Sequence, residues 1–289
     1  MRKYETLASS LDLKTVRRYP YLHRVVPFRI AGGVYYVGNR VCSAHLVDTG
    51  EGLLLIDTPF ARHLPLLIES IWEAGFRPAD IRYILHTHAH ADHMGCTPAM
   101  AEMFGCKTCI SDADARSIEA RPELLMAMID DPGVFSPDIL LKDGDSIRLG
   151  NVRVRAVLTP GHTAGTMSFF FDTIEDGQKL TCGIFGGAGF NTLCHDYFAD
   201  FSVPPYIRNQ FMESLEKVRN ETVDVMLGNH PEANAAFEKL GRRQAGEAGN
   251  PFIDREEWAR YIDETTRRFI LFRAEDDALC NTISLDKRK

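Results

Sequence analysis

Three short apolar runs separated by glycines open the patterned part of the chain. They are Gly33-Val34-Tyr35-Tyr36-Val37-Gly38, Ala44-His45-Leu46-Val47 and Gly52-Leu53-Leu54-Leu55-Ile56-Asp57, and each predicts a β-strand. Leu64, Leu67, Ile68, Ile71 and Trp72 then recur at helical spacing, which predicts a helix ending near Gly75-Phe76. Ile81 to Leu85 predicts a buried strand. In the second half, Val152, Val154 and Ala156 alternate with Arg153 and Arg155, the mark of a strand with one buried face, and Thr159-Pro160-Gly161 breaks it sharply. Met167 to Phe171, Leu180 to Phe185 and Val223 to Leu227 predict three more strands. Ile207, Phe211, Leu215 and Val218 form one helical stripe, and Trp258, Tyr261, Ile262 and Phe269 form another. Asp254 followed three residues later by Glu257 predicts a capping box at the start of the latter. The polar stretch from Glu275 to Lys289 is expected to fray. Strands and helices alternating in both halves, with no repeat and no low-complexity linker, predict one α/β (α+β) domain.

Composition narrows the function classes. With 289 residues, 45% hydrophobic and 25% charged, the chain has the make-up of an ordinary globular protein. A net charge of -7, without a run of Lys or Arg, gives no footprint for a polyanion, so no nucleic-acid partner is expected. No segment approaches the ~20 apolar residues of a membrane span, and the start Met1-Arg2-Lys3-Tyr4-Glu5-Thr6 leads into polar residues, so no membrane association or export is expected. Seven cysteines at scattered spacings suit reduced thiols and a cytoplasmic location better than a disulfide framework. Cys106-Lys107-Thr108-Cys109 reads as a short buried strand with two small apolar side chains rather than a redox or metal pair.

The chemistry concentrates at the end of the Ile81 strand. His86-Thr87-His88-Ala89-His90-Ala91-Asp92-His93 follows directly, and imidazole nitrogen with carboxylate oxygen suits zinc. His88 and His90 are two apart, so an extended backbone points both to one side, while a turn at Asp92-His93 lets that pair face a second ion. His86 lies behind an apolar run and reads as a satisfied core histidine rather than a further ligand. Two more histidines, His162 and His230, sit in loops immediately after apolar strands, the first inside Thr159-Pro160-Gly161-His162-Thr163-Ala164-Gly165, whose small residues allow close backbone approach. His23, His45, His63 and His195 lack such context and are assigned structural or surface roles.

His88-x-His90-x-Asp92-His93, Gly161-His162-Thr163-x-Gly165 and the late His230 together resemble the metallo-β-lactamase superfamily. Pro27-Phe28-Arg29-Ile30-Ala31-Gly32, the strand ending Leu55-Ile56-Asp57, His230-Pro231 and Asn250-Pro251-Phe252-Ile253-Asp254 look more narrowly like its third, di-zinc subclass with all His/Asp ligands. The resemblance runs from about Pro27 to Phe269. It implies a four-layer αββα sandwich with two zinc ions per chain: His88, His90 and His162 on the first, Asp92, His93 and His230 on the second, and Asp57 supporting the site from behind. It also implies a di-zinc metallo-hydrolase that uses a metal-bound hydroxide to cleave an amide or ester bond of a small-molecule substrate, with Asp92 handling the proton. A thioesterase, lactonase or phosphodiesterase of the same fold, or a mono-iron sulfur dioxygenase-like redox enzyme, is the alternative. The absence of a Glu at His90 favours zinc over the di-iron pattern.

Cys182-Gly183-Ile184-Phe185-Gly186-Gly187-Ala188-Gly189-Phe190 carries neither the bridging Asp of many superfamily hydrolases nor the Cys of the first subclass as a ligand beyond the strand, which supports the third-subclass ligand set. The serines usual there are missing, leaving Asn191 and Thr192 to hold a substrate carboxylate. The apolar, Met-bearing stretch Leu124 to Phe135 reads either as a lid that accepts an apolar acyl group or as a short core helix and its turn. The expected division is an extension over residues 1–26, a hydrolase domain over 27–273 and a polar tail over 274–289.

Overall fold

A computed structural model describes residues 3–4, 13–125 and 134–286. Its two β-sheets divide the chain in order. The first holds β1 (Phe28–Ala31), β2 (Val34–Tyr36), β3 (His45–Asp48), β4 (Leu53–Ile56), β5 (Ile81–Leu85), β6 (Lys107–Ser111) and β7 (Ile139–Leu141), paired in that order. Pairing is antiparallel from β1 to β4 and parallel from β4 to β7. The second runs β12-β11-β10-β9-β8, from β8 (Ser146–Leu149), β9 (Val152–Leu158), β10 (Met167–Glu175), β11 (Gln178–Ile184) and β12 (Val225–Leu227). Only its β11–β12 pair is parallel.

The helices are α1 (Leu13–Arg18), α2 (Leu64–Glu73), α3 (Ala91–Met94), α4 (Thr97–Phe104), α5 (Asp112–Ala120), α6 (His195–Phe201), α7 (Ile207–Val218), α8 (Ala236–Gln244) and α9 (Glu257–Asp286). Three apolar clusters stack them into four layers. Leu54, Ile56 and Leu85 of the first sheet meet Val154, Ala156, Phe169, Phe171 and Ile184 of the second in a central cluster. On the outer face of the first sheet, Leu53, Leu55 and Ile84 pack on Leu67, Ile71 and Met100 of α2 and α4. On the outer face of the second, Phe170 and Phe185 pack on Phe211 and Leu215 of α7 and on Trp258, Ile262 and Phe269 of α9. Side chains alternate across a strand, so a strand covered on both faces must be apolar at every position. Leu53-Leu54-Leu55-Ile56 and Phe169-Phe170-Phe171 are continuous runs for that reason. The architecture is the expected αββα sandwich.

Four local readings are refined by the tertiary structure. Trp72, placed on the apolar stripe of α2, is 56% exposed, because the packed face of the helix is set by Leu67 and Ile71. The expected capping box does not close: the Asp254 amide donates to the Asp224 carbonyl at 2.9 Å, the Glu257 carboxylate pairs with the buried Lys239 of α8 at 2.5 Å, and Asp254 accepts from the Glu256 amide at 3.0 Å. The stretch from Glu275, expected to fray, continues α9 to Asp286, and Asp276 is buried against the Arg208 guanidinium, the Lys3 ammonium (2.9 Å) and the His195 amide (2.8 Å). Cys106 and Cys109 bracket the start of β6 and face opposite sides of the sheet, Cys106 toward α2 and α4 and Cys109 toward the central cluster. Burial pushes their thiols up to about 11 and about 12, which leaves them unreactive. The lid reading falls on residues of which 126–133 lie outside those described; of its flanks, Leu125 is buried with Ile110 and Ile118, and the Phe135 ring lies 5.2 Å from His86.

Candidate metal centre

Every candidate residue emerges at the carboxyl end of a strand, and β4, β5, β9, β11 and β12 all end at one edge of the sandwich. Asp57 follows β4 with a positive φ of 60°, a conformation that is sparsely populated outside glycine. That turn aims its carboxylate at the loop after β5. Thr87 donates to it twice, from its backbone N–H to Oδ1 and its hydroxyl to Oδ2, each at 2.7 Å, and His93 Nδ1 reaches Oδ2 at 2.9 Å.

His88, His90 and His162 form one group. Their ring centroids are 4.6 to 4.7 Å apart and their planes nearly perpendicular, at 80 to 85°. His88 Nδ1 donates to the Gly186 carbonyl at 2.9 Å, and His162 Nδ1 donates to the Gly189 carbonyl at 2.9 Å. Each bond fixes the tautomer and leaves Nε2 as a lone pair. The Nε2 atoms of His88 and His90 are buried and have no hydrogen-bond partner among the described residues. Three imidazoles offer one ligand atom each within 4.8 Å of the others. Burial and the neighbouring imidazoles push His88 and His90 far below the usual imidazole range, and burial takes His162 down to about 4. The trio is therefore neutral, as a metal requires.

Asp92, His93 and His230 form the second group, again with ligand atoms within 4.8 Å. His230 Nδ1 donates to the Val41 carbonyl at 2.8 Å, so its Nε2 also carries a lone pair. That atom faces His93 Nε2 at 3.2 Å, and Asp92 Oδ2 lies 3.5 Å from the one and 3.6 Å from the other. Lone pairs and a carboxylate so close repel unless a cation or proton sits among them. The electrostatics agree: burial lowers His93, but the Asp92 and Asp57 carboxylates outweigh it and raise the ring above its usual range. Burial likewise raises Asp92, and the His93, His230 and His90 rings outweigh it and hold the carboxyl low. The donor set thus fits two cations.

The glycine-rich stretch after β11 owes its composition to His162. A Cβ on Gly187 would lie 2.7 to 2.9 Å from three atoms of that side chain, so the backbone can cradle the ring only without one. Thr192, expected to help hold a substrate carboxylate, is buried and donates to the His162 carbonyl at 2.7 Å. His86 is saturated, with Nδ1 on the Cys109 carbonyl (3.0 Å) and Nε2 on Thr97 Oγ1 (2.7 Å). His45, buried, bonds the Gly228 carbonyl at 2.9 Å, just before the His230 loop. His195 reaches Asp277 at 2.7 Å on the far side of α7.

Sequence reasoning missed Asp114. It lies in α5, fully buried, and accepts from the Ala89 amide (2.8 Å), the Gly165 amide (2.9 Å) and the Thr163 hydroxyl (2.8 Å). The available signal was Ser111-Asp112-Ala113-Asp114 after an apolar strand, a helix start whose Ser111 side chain accepts from the Asp114 amide. A cavity of about 360 Å³ opens beside the first trio, with Ala89, His162 and Thr163 at one end and Leu124, Tyr197, Val203 and Ile207 along its walls.

The chain is similar to known proteins of one fold family. Residues 37–173 match the model of the metallo-beta-lactamase superfamily. A hydroxyacylglutathione hydrolase of Rhodopseudomonas palustris is 30% identical over 214 residues, covering 62% of this chain and 75% of that protein. One from Chelativorans sp. is 28% identical over 191 residues, covering 66% of this chain and 63% of its own. The structure of BJP-1, a subclass B3 metallo-beta-lactamase of Bradyrhizobium japonicum, superposes with a TM-score of 0.79 at 25% identity, over 89% of this chain and 97% of that one. An edge site of histidines and one aspartate on an αββα sandwich defines the class, and the chain belongs to the metallo-beta-lactamase superfamily. The chain spans less than two thirds of the length of the curated relatives it first matches.

Proposed function

We propose that the chain is a zinc-dependent hydrolase of an amide, ester or thioester bond in a small-molecule substrate. Two zinc ions per chain are assigned, the first to His88, His90 and His162 and the second to Asp92, His93 and His230, with Asp57 orienting His93. The observation that carries the reading is the convergence of imidazole Nε2 lone pairs whose Nδ1 atoms are anchored on Gly186, Gly189, Val41 and Asp57. Bound zinc supplies Lewis acidity, polarising a carbonyl and acidifying water toward neutral pH.

The protein's own groups do the rest. The Asp92 carboxylate, partly exposed in the second group, is placed to take the proton of the attacking water and return it to the departing nitrogen, oxygen or sulfur. Water adds to the carbonyl carbon, the bond to the leaving group breaks, and the proton moves from the one to the other. The Nδ1 anchors hold the imidazoles in one tautomer throughout, so no ring has to reorient during turnover. The largely apolar cavity beside His162 supports an acyl portion that is itself apolar. Among the described residues its arginines, Arg116 and Arg121, are paired with Asp112 and Glu123.

A cytoplasmic location is inferred from the cysteines, six of which are buried thiols. Among the described residues no helix is long and apolar enough to cross a membrane. The test is metal analysis followed by a panel of esters, thioesters, lactones and β-lactams on the same zinc-loaded sample. Two zinc ions and turnover that chelation abolishes are expected; one iron per chain, or no turnover with both zincs bound, overturns the proposal.

A further inference from the structure

We propose that Asp114 is a positioning residue that sets the spacing of the His88–His90–His162 trio by tying together the two loops that carry it. The inference rests on the zinc assignment above. One loop enters through Ala89, whose amide lies between His88 and His90 and donates to Asp114 Oδ2 at 2.8 Å. The other enters through Gly165 and Thr163, which donate to Oδ1 at 2.9 Å and Oδ2 at 2.8 Å and flank His162 on its C-terminal side. Among the described residues these are the contacts by which one carboxylate bridges both loops. Its position is fixed in turn by α5, since Ser111 Oγ caps the Asp114 amide at 3.2 Å.

Two further observations separate this from ordinary packing. The first is Gly165: a Cβ there would lie 2.0 Å from Ser111 Oγ and 2.6 Å from Asp114 Cγ, so the loop reaches the carboxylate only because that residue is glycine. The second is cost. Asp114 is completely buried with no cationic partner among the described residues, and burial outweighs its three hydrogen bonds, pushing the carboxyl up to about 6. An acceptor that only stabilised the fold would be cheaper as a neutral group. A carboxylate is needed where all three partners are donors: an Asn would turn its NH2 toward at least one of them.

The test is zinc affinity of the first trio alone, measured by competition with a chromophoric chelator in a His230→Ala background. That variant is expected to hold one zinc. Adding Asp114→Asn should weaken it by roughly 10- to 100-fold, the range typical when a group supporting a metal ligand is lost. The cobalt-substituted protein should show a shifted visible spectrum. A purely structural role would lower the melting temperature of the metal-free protein and leave zinc affinity unchanged in the folded fraction, which overturns the proposal. Should Asp114→Asn fail to fold, Thr163→Val removes one of the three hydrogen bonds. A smaller loss in the same direction is then expected, and an unchanged affinity overturns the proposal equally. If His230→Ala with Asp114 intact holds no zinc at all, it is the ligand assignment that fails.

Discussion

The two triads sit side by side at one sheet edge and are built on opposite principles. His88, His90 and His162 are all buried and carry no charge, and His88 and His162 are anchored by the backbone carbonyls of a glycine-rich loop. Asp92, His93 and His230 include a carboxylate, are open to solvent at Asp92 and His230, and are anchored through the charged Asp57 and the Val41 carbonyl. A sealed neutral set is pre-organised and has little freedom to relax. A half-open anionic set keeps room for a substrate and a group able to carry a proton. The difference teaches that neighbouring sites with similar ligands can divide labour through burial together with the charges beside them, since at His93 and Asp92 the neighbouring charges outweigh burial.

The largest expected effect tests that division. Asp92→Ala should lower kcat by about 10²- to 10⁴-fold, the usual contribution of a positioned proton carrier, and reduce zinc from two per chain to one. His162→Ala and His230→Ala should each also leave a single zinc, measured by elemental analysis. If either variant releases both ions, the assignment of the ligands to two separate triads fails and the contrast collapses.

A smaller effect is expected at Asp57. Replacing it by Ala leaves the Thr87 amide, the Thr87 hydroxyl and His93 Nδ1 without their acceptor. Each such buried donor costs about 1 to 3 kcal/mol. Urea unfolding of the metal-free protein should therefore show a loss of several kcal/mol, and a loss under about 1 kcal/mol would show that Asp57 is not the anchor of the second triad.

The smallest effect concerns pH and the anchor of the first triad. The Asp114 carboxyl sits near 6 in the folded protein against an ordinary 3.8, so the folded state holds its proton after the unfolded chain has released it. Its contribution is fully present below pH 4 and is lost as pH rises through 6. The stability of metal-free protein relative to Asp114→Asn should fall by on the order of 2 kcal/mol between pH 4 and pH 7. Parallel curves for the two proteins would sink this reading.

Much of the molecule was legible along the chain because its signals are local. A strand covered on both faces is apolar at every position, so β4 and the Phe169 to Phe171 run of β10 could be read directly, and the alternation in β9 marked a strand with a polar face. His88, His90, Asp92 and His93 lie within six residues, in the loop and short helix after β5, where close spacing alone points to a shared site. Trp72 shows the limit: helical spacing gave its angle on α2, but which arc is covered depends on the sheet beneath. The continuation of α9 past Glu275 depends on Arg208 and Lys3 reaching Asp276, partners 68 and 273 residues away.

What the sequence determined by itself was the order of strands and helices in one α/β domain and the ligand types, since both follow from short-range periodicity and the chemistry of side chains; the αββα layering entered only through the resemblance. What only the tertiary structure decided was how those ligands are held. The Nδ1 anchors at Val41, Gly186 and Gly189, the collision that makes Gly187 necessary beside His162, and the bridge through Asp114 all join residues distant in the chain. Hydrogen bonds of that kind leave no periodic trace, because an acceptor carbonyl is carried by every residue and only the fold selects which one is used.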